Sequence, residues 1–256
     1  MSSQKGIAEQ FNLLHIKGEP LVLFNIWDSG SARAVEEAGA KAIATGSWSV
    51  AAANGFADGE ELLMEIALEN AKRIVANTTL PVSLDFEGGY AASLEELKTN
   101  IQRVIDAGAV GINFEDQIVG GDGLYSIEQQ SARIAAIRET AESKSIPLFI
   151  NARTDVFLKT YPAVHTDEQL ENAIGRATAY ANAGASGFFA PGLRNPEMIK
   201  TLCERSSLPV NIMVLPDTPT NKEMAELGVA RISYGPGPYR LIIESLKTAA
   251  TAAFSF

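Results

Sequence analysis

Asp106-Ala-Gly-Ala-Val-Gly-Ile-Asn-Phe-Glu115-Asp116 holds one building unit of the chain. A helix ends at Gly108, since glycine readily takes the positive φ that stops a last turn. An apolar run follows, and two carboxylates close it. The helix stop recurs at Glu37-Ala-Gly39, Asn182-Ala-Gly184 and Glu226-Leu-Gly228, each just before another strand-like run. Such runs cover 21–26, 42–47, 81–87, 110–116, 147–155, 186–192, 209–215 and 231–235. Continuous apolar runs are the habit of parallel strands buried on both faces. Between them, apolar residues three and four apart predict helices over 60–75, 94–107, 127–142, 168–183 and 196–204. Ser29, Asp58, Ser93, Ser126, Asp167 and Asn195 are the candidate N-caps.

Eight strand–helix units in 256 residues predict an α/β protein of the (β/α)8 TIM-barrel class. Such a barrel takes about 250 residues, so 1–256 is read as a single domain. Residues 4–17 predict an extra N-terminal helix against the barrel floor. A doubly wound open sheet is the competitor, but the chain carries no dinucleotide fingerprint.

The net charge of −10 and pI near 4.8 argue against nucleic acid or an anionic membrane as partner. The one cysteine, Cys203, allows no intrachain disulfide, and no apolar segment follows Met1. Both features point to a cytoplasmic protein. No apolar stretch approaches the roughly 18 residues needed to span a bilayer.

Charges gather where the strands end, which is where barrels place active sites. Asp85 and Glu87 alternate with Phe86, so in an extended strand both carboxylates share a face. Glu115 stands at the same height on the next strand. Asp58 precedes a helix and suits either a cap or a ligand role. Carboxylates converging on one mouth repel each other unless a cation lies among them. Hard oxygen donors suit Mg²⁺ or Mn²⁺. Ion pairing is the plain alternative for these acids, although few basic residues sit at strand ends.

Arg153 can clamp a carboxylate or phosphonate, or simply neutralise the acids, and Asp155 is placed to orient it. Thr45-Gly-Ser-Trp-Ser49 reads either as a cradle of backbone N–H groups for an oxyanion or as an ordinary polar loop. Ser233–Tyr239 reads as a structural turn, because its prolines remove donors. His15, His165 and Cys203 carry no signal of catalysis.

Taken together and in order, several motifs resemble the isocitrate lyase/phosphoenolpyruvate mutase superfamily. They are Asn25-Ile-Trp-Asp28-Ser-Gly-Ser-Ala-Arg33, Asp58, Asp85-Phe-Glu-Gly-Gly-Tyr90, Ile112-Asn-Phe-Glu-Asp116 and Ala152-Arg-Thr-Asp155. The resemblance implies a β/α barrel that binds Mg²⁺ and a small 2-oxo carboxylate. It implies that Asp85 contacts the metal and that Asp58, Glu87 and Glu115 hold it largely through water. Arg153 and Ser47 would bind substrate, and Gly46-Ser47-Trp48 would hold the pyruvyl carboxylate and enolate. A homo-oligomer, dimer or tetramer, is also implied.

The departures shape the expected reaction. The lyases carry Lys, Cys, Gly and His in the loop after strand four, where this chain has Gln117-Ile-Val-Gly-Gly-Asp-Gly-Leu-Tyr-Ser126. A polar position after strand six is replaced by Phe188-Phe-Ala-Pro191. The expectation is a lyase or mutase-type enzyme that breaks a C–C or C–P bond beside a pyruvyl group through an enolate. Oxaloacetate decarboxylation and phosphonopyruvate cleavage are examples. Tyr90, Tyr125 and Asp122 are the candidate acids. The alternative is a catalytically inactive barrel that binds metal and 2-oxo acid. A sugar-phosphate enzyme using the strand-eight loop is a third reading.

Overall fold

Helix stops followed by buried apolar runs do build strands. The structure is a computed structural model and describes residues 3–161 and 164–255. In chain order it contains α1 (Gln4–Leu13), β1 (Leu21–Leu23), α2 (Ser29–Glu37), β2 (Ile43–Ala44), α3 (Ser47–Ala53), α4 (Met64–Ala76), β3 (Val82–Asp85) and α5 (Leu94–Asp106). Next come β4 (Gly111–Glu115), α6 (Ile127–Ser143), β5 (Phe149–Arg153) and a 3-10 turn at Leu158–Thr160. The remainder is α7 (Asp167–Asn182), β6 (Gly187–Phe189), α8 (Pro196–Arg205), β7 (Val210–Met213), α9 (Asn221–Glu226), β8 (Arg231–Ser233) and α10 (Gly237–Phe254).

The eight strands pair in parallel in the order β1-β8-β7-β6-β5-β4-β3-β2. A lone parallel bridge between Ile26 and Thr45 brings the two ends together. This is the expected barrel, with helices outside it. Helix residues such as Ile101, Val104, Ile134 and Ile137 bury themselves with the outward-facing Ile112 and Ile150. The register sets Asp85 beside Asn113, Asn113 beside Asn151, and Glu115 beside Arg153. Inside the barrel, one layer is polar: Ser83, Asn113, Asn151, Asn211 and Arg231 are all buried. Barrels usually fill their interior with branched apolar side chains.

Helix α1 closes the floor. Phe11 is fully buried and meets the Phe149 ring edge-on at 5.5 Å. Gly111 makes this possible, since a Cβ there would come within 2.6 Å of the Phe11 ring. Polar anchors flank the plug: Gln4 donates to the Ile105 and Ala109 carbonyls, and Asn12 to that of Pro147.

Several local expectations are corrected. The N-terminal helix stops at Leu13, short of the expected 17. Asp28, not Ser29, caps α2: its carboxylate accepts from the Ser31 N–H at 2.7 Å and leaves Ser29 inside the first turn. Thr166 likewise replaces Asp167 as cap of α7, paired with Gln169. Asp58 caps no helix, because α4 begins only at Met64. The second strand is shorter than 42–47; Ser47 opens α3 instead, with the Val50 N–H bonded to the Gly46 carbonyl. Ser93, Ser126 and Asn195 cap as expected.

The last helix, α10, keeps only Pro238 buried. Leu241, Ile242 and Leu246 on it are 61%, 50% and 63% exposed. The outer face of β1 is correspondingly bare, with Val22 and Phe24 about two-fifths exposed. Among the described residues no helix is long and apolar enough to cross a membrane.

Phe11→Ala would open a cavity beneath the barrel and remove the plug's main apolar contact. A loss of about 3 kcal/mol in urea unfolding is expected, and a loss below about 1 kcal/mol would show that the floor is held by the polar anchors instead.

Candidate active site

The strand C-termini open into a cleft of about 270 Å³. Gly46, Ser47, Trp48, Asp58, Asp85 and Arg153 all line it. The two other predicted acids, Glu87 and Glu115, stand just behind this surface and are 5% and 4% exposed.

Asp85 ends β3 with both oxygens held. Oδ2 accepts from the Ser47 N–H at 2.9 Å, and Oδ1 from the Asn113 amide at 3.3 Å. The β2 loop therefore uses the Ser47 N–H on Asp85, and the Gly46 N–H on the Ile26 carbonyl. Neither donor stands free as an oxyanion cradle. The Ser47 hydroxyl faces the Asp58 carboxylate and favours its charged form. Asp58 reaches into the cleft, where partial burial and then the Asp85 carboxylate raise its pKa.

Glu87 does not share the strand face of Asp85. Strand β3 has ended, and Glu87 takes φ 48, in the left-handed region. Its carboxylate turns to the loop after α3, where one oxygen accepts from the Gly59 and Glu60 N–H groups at 2.9 and 2.8 Å. The other accepts from the Tyr90 hydroxyl at 3.2 Å. Glu60 returns the contact by accepting from the Tyr90 N–H. Glu60 and Tyr90 also have positive φ, 61 and 52. Three non-glycine residues in that region is a concentration of backbone strain beside the cleft. Burial, then Asp58, then Asp85 push Glu87 up to about 7.

Arg153 is held on two sides. Nε and Nη2 donate to Asp155 at 2.6 and 2.9 Å, and Nη1 lies 2.9 Å from Glu115. Burial opposes its charge, but Asp155 and Glu115 outweigh it and raise its pKa. Arg153 thus does both things the sequence allowed: it faces the cleft and neutralises two of the acids. Asp116, the other half of the Glu-Asp pair, takes no part. It is fully buried and clamps the Asp155 N–H, Arg176 and the Tyr180 hydroxyl.

Asn25, Asn113, Tyr161, Ser233 and Arg240 also line the cleft. None of them is assigned to the site from sequence, although Asn25 and Asn113 fall within the family motifs and Ser233 opens the strand-eight turn. Neutral amides inside barrel strands carry no charge signal, and Arg240 comes from α10, where its guanidinium stacks on Trp48 at 4.6 Å. The opposite wall is apolar: Leu158, Phe189, Pro191, Met213 and Leu215. None of the candidate acids Tyr90, Tyr125 and Asp122 lines the cleft. Residues 117–126 instead fold into a small hairpin, bridged between Gln117 and Leu124.

Among the described residues no three Asp, Glu, His or Cys side chains form a ready ligand set for a metal. One carboxylate with further acids at greater distance is nevertheless a suitable donor set for Mg²⁺, which keeps several waters and takes one or two carboxylates.

Residues 11–254 match the family model for phosphoenolpyruvate phosphomutase. The chain belongs to the phosphoenolpyruvate mutase/isocitrate lyase superfamily. A Burkholderia cenocepacia protein assigned to the phosphonomutases has a crystal structure superposing with TM-score 0.95 at 46% identity, over 98% of this chain and 100% of that one. An uncharacterized Mycobacterium tuberculosis protein is 33% identical over 90% of this chain and 83% of its own. A 2-methylisocitrate lyase of Halalkalibacterium halodurans is 30% identical over 81% of this chain and 67% of its own. The family barrel is built here around a crowded set of carboxylates.

That crowding has a measurable cost in metal-free protein. With Glu87 at about 7 when folded and near the ordinary 4.5 when unfolded, the folded state holds the extra proton between these values. The contribution of Glu87 to stability is then full below pH 4.5 and is lost as pH rises through 7. Glu87→Gln removes the charge that causes the fall. In EDTA it should stabilise the protein by about 3 kcal/mol at pH 8 and by almost nothing at pH 4.5. Equal urea midpoints for the two proteins at pH 8 would contradict this.

Proposed function

We propose that this protein is a Mg²⁺-dependent lyase or mutase-type enzyme for a small 2-oxo carboxylic acid, acting at a C–C or C–P bond beside the pyruvyl group. The observation that carries this reading is Asp85. It is fixed at both oxygens by Ser47 and Asn113 at the mouth of a barrel, with Asp58 and Arg153 on the same cleft. Asp85 is the proposed direct metal ligand, and Asp58, Glu87 and Glu115 are proposed to act through water. Bound there, Mg²⁺ would supply a Lewis acid for negative charge on the 2-oxo oxygen; Mn²⁺ suits the same oxygen donors.

The chain's own residues have separate tasks in this reading. Arg153 and the Ser47 hydroxyl bind and orient the carboxylate. Arg153 still has one N–H on each terminal nitrogen beyond those given to Asp155 and Glu115. Trp48 and the apolar wall of Phe189, Pro191 and Met213 exclude water from the scissile bond. Tyr161 and Ser233 are the hydroxyls placed to move a proton. Among the described residues no lysine, cysteine or histidine lines the cleft, so the reading favours bonds that break without a thiol acid. That same observation favours one alternative, a catalytically inactive barrel that binds metal and 2-oxo acid.

Pyruvate release separates the two. Oxaloacetate, phosphonopyruvate and 2-methylisocitrate are offered with Mg²⁺, with and without EDTA, beside Asp85→Ala. Turnover of one substrate is expected, falling at least about a hundredfold in EDTA and in the variant. The variant also controls for the decarboxylation of oxaloacetate by free Mg²⁺. Rates equal to those of the variant, with Mg²⁺ and oxalate still binding to wild type, would favour the inactive barrel.

The reading includes a homo-oligomer, supported by the bare apolar residues of α10. Leu241→Asp with Leu246→Asp should convert the wild-type oligomer to monomer in light scattering after size exclusion. A wild-type monomer would end this part of the proposal.

A further inference from the structure

The barrel interior holds a charge that the cleft residues do not account for. Arg231 on β8 is 1% exposed and lies two residues before Ser233, which lines the cleft. Its Nη2 donates to Asn113 Oδ1 at 3.1 Å. Asn151 donates to the same oxygen at 2.9 Å. With its oxygen doubly held, the Asn113 NH₂ is left to face Asp85, to which it donates at 3.3 Å. The remaining Arg231 nitrogens, Nε and Nη1, are enclosed and have no hydrogen-bond partner. None of the ion pairs among the described residues includes Arg231.

A buried cation without a carboxylate partner works against stability, and an apolar side chain of similar volume does not. Burial draws the pKa of Arg231 down to about 9, opposed by the charge of Asp85, so the group remains charged at neutral pH. Around the cleft stand Asp58, Asp85, Glu87, Glu115 and Asp155; Arg153 already serves two of them, and the other guanidinium lining the cleft, Arg240, lies over the Trp48 ring. An incoming carboxylate adds one more negative charge to this set.

We propose that Arg231 is a positioning residue that fixes Asn113 beneath Asp85 and, by its charge, favours an anionic ligand in the cleft. This rests on the reading of the cleft as a metal and 2-oxo-acid site. A fixed cation below the floor attracts an anion and repels a metal ion. Losing it therefore acts on the two ligands in opposite directions, whereas a loosened scaffold weakens both.

Mn²⁺, followed by the paramagnetic resonance of the free ion, and oxalate, followed by calorimetry at saturating Mn²⁺, are the two probes. Arg231→Met should weaken oxalate about tenfold, leave Mn²⁺ binding equal or tighter, and keep or raise Tm. Arg231→Lys should hold oxalate affinity within about threefold of wild type. Unchanged oxalate affinity in Arg231→Met overturns the inference, and so does parallel weakening of both probes. If Arg231→Met does not fold, Arg231→Lys against Arg231→Gln gives the same test, since only the glutamine variant should lose oxalate. Wild-type protein that binds neither probe sinks the cleft reading, and this inference with it.

Discussion

Mutual repulsion among carboxylates at the barrel mouth is the constraint to which the surrounding structure answers. Asp85, Asp58 and Glu87 raise one another's energy, and each is met by a different compensation. Backbone N–H groups from two loops serve Asp85 and Glu87. A serine hydroxyl serves Asp58. Arg153 serves Glu115 and Asp155. These compensations fix the loops themselves. The segment after α3 takes its shape from Glu87, and the β3 loop takes its own from Glu60. The positive φ values of Glu60, Glu87 and Tyr90 are strain held in place by these hydrogen bonds.

The barrel was legible in the sequence because its signal is repeated and local. Helix-stop glycines and doubly buried apolar runs mark each unit, and the Ser93, Ser126 and Asn195 caps mark helix starts. The acids of the mouth were legible because charge at the end of an apolar run is conspicuous. The directions of those side chains were not. Alternation placed Glu87 beside Asp85, but the strand had already ended, and a left-handed residue turned it elsewhere. Ser47 looked like a loop donor, and its N–H proved committed to Asp85. Neutral lining residues such as Asn25 and Asn113 stand among many similar amides and announce nothing until the register pairs them.

The same contrast separates the two arginines of the interior. Arg153 ends its strand two residues before one partner, Asp155, and the β4–β5 register supplies the other, Glu115. Arg231 opens an apolar strand and meets Asn113 across 118 residues of chain. Long-range polar pairing of this kind depends on closure of the whole barrel and leaves no local trace.

The plug beneath the barrel bears on how the molecule is made. Helix α1 is made before the barrel it plugs, yet its anchor carbonyls belong to Ala109 and Pro147. Asn12 must wait for a partner 135 residues later in the chain. Until β4 and β5 have emerged, Phe11 and its neighbours have no cavity to fill. Early synthesis therefore proceeds with an amphipathic segment unsatisfied, a stretch that chaperones can recognise. The docking of α1 closes a long loop, so it reports that the floor is complete. A segment made ahead of the barrel strands finds its place only after them.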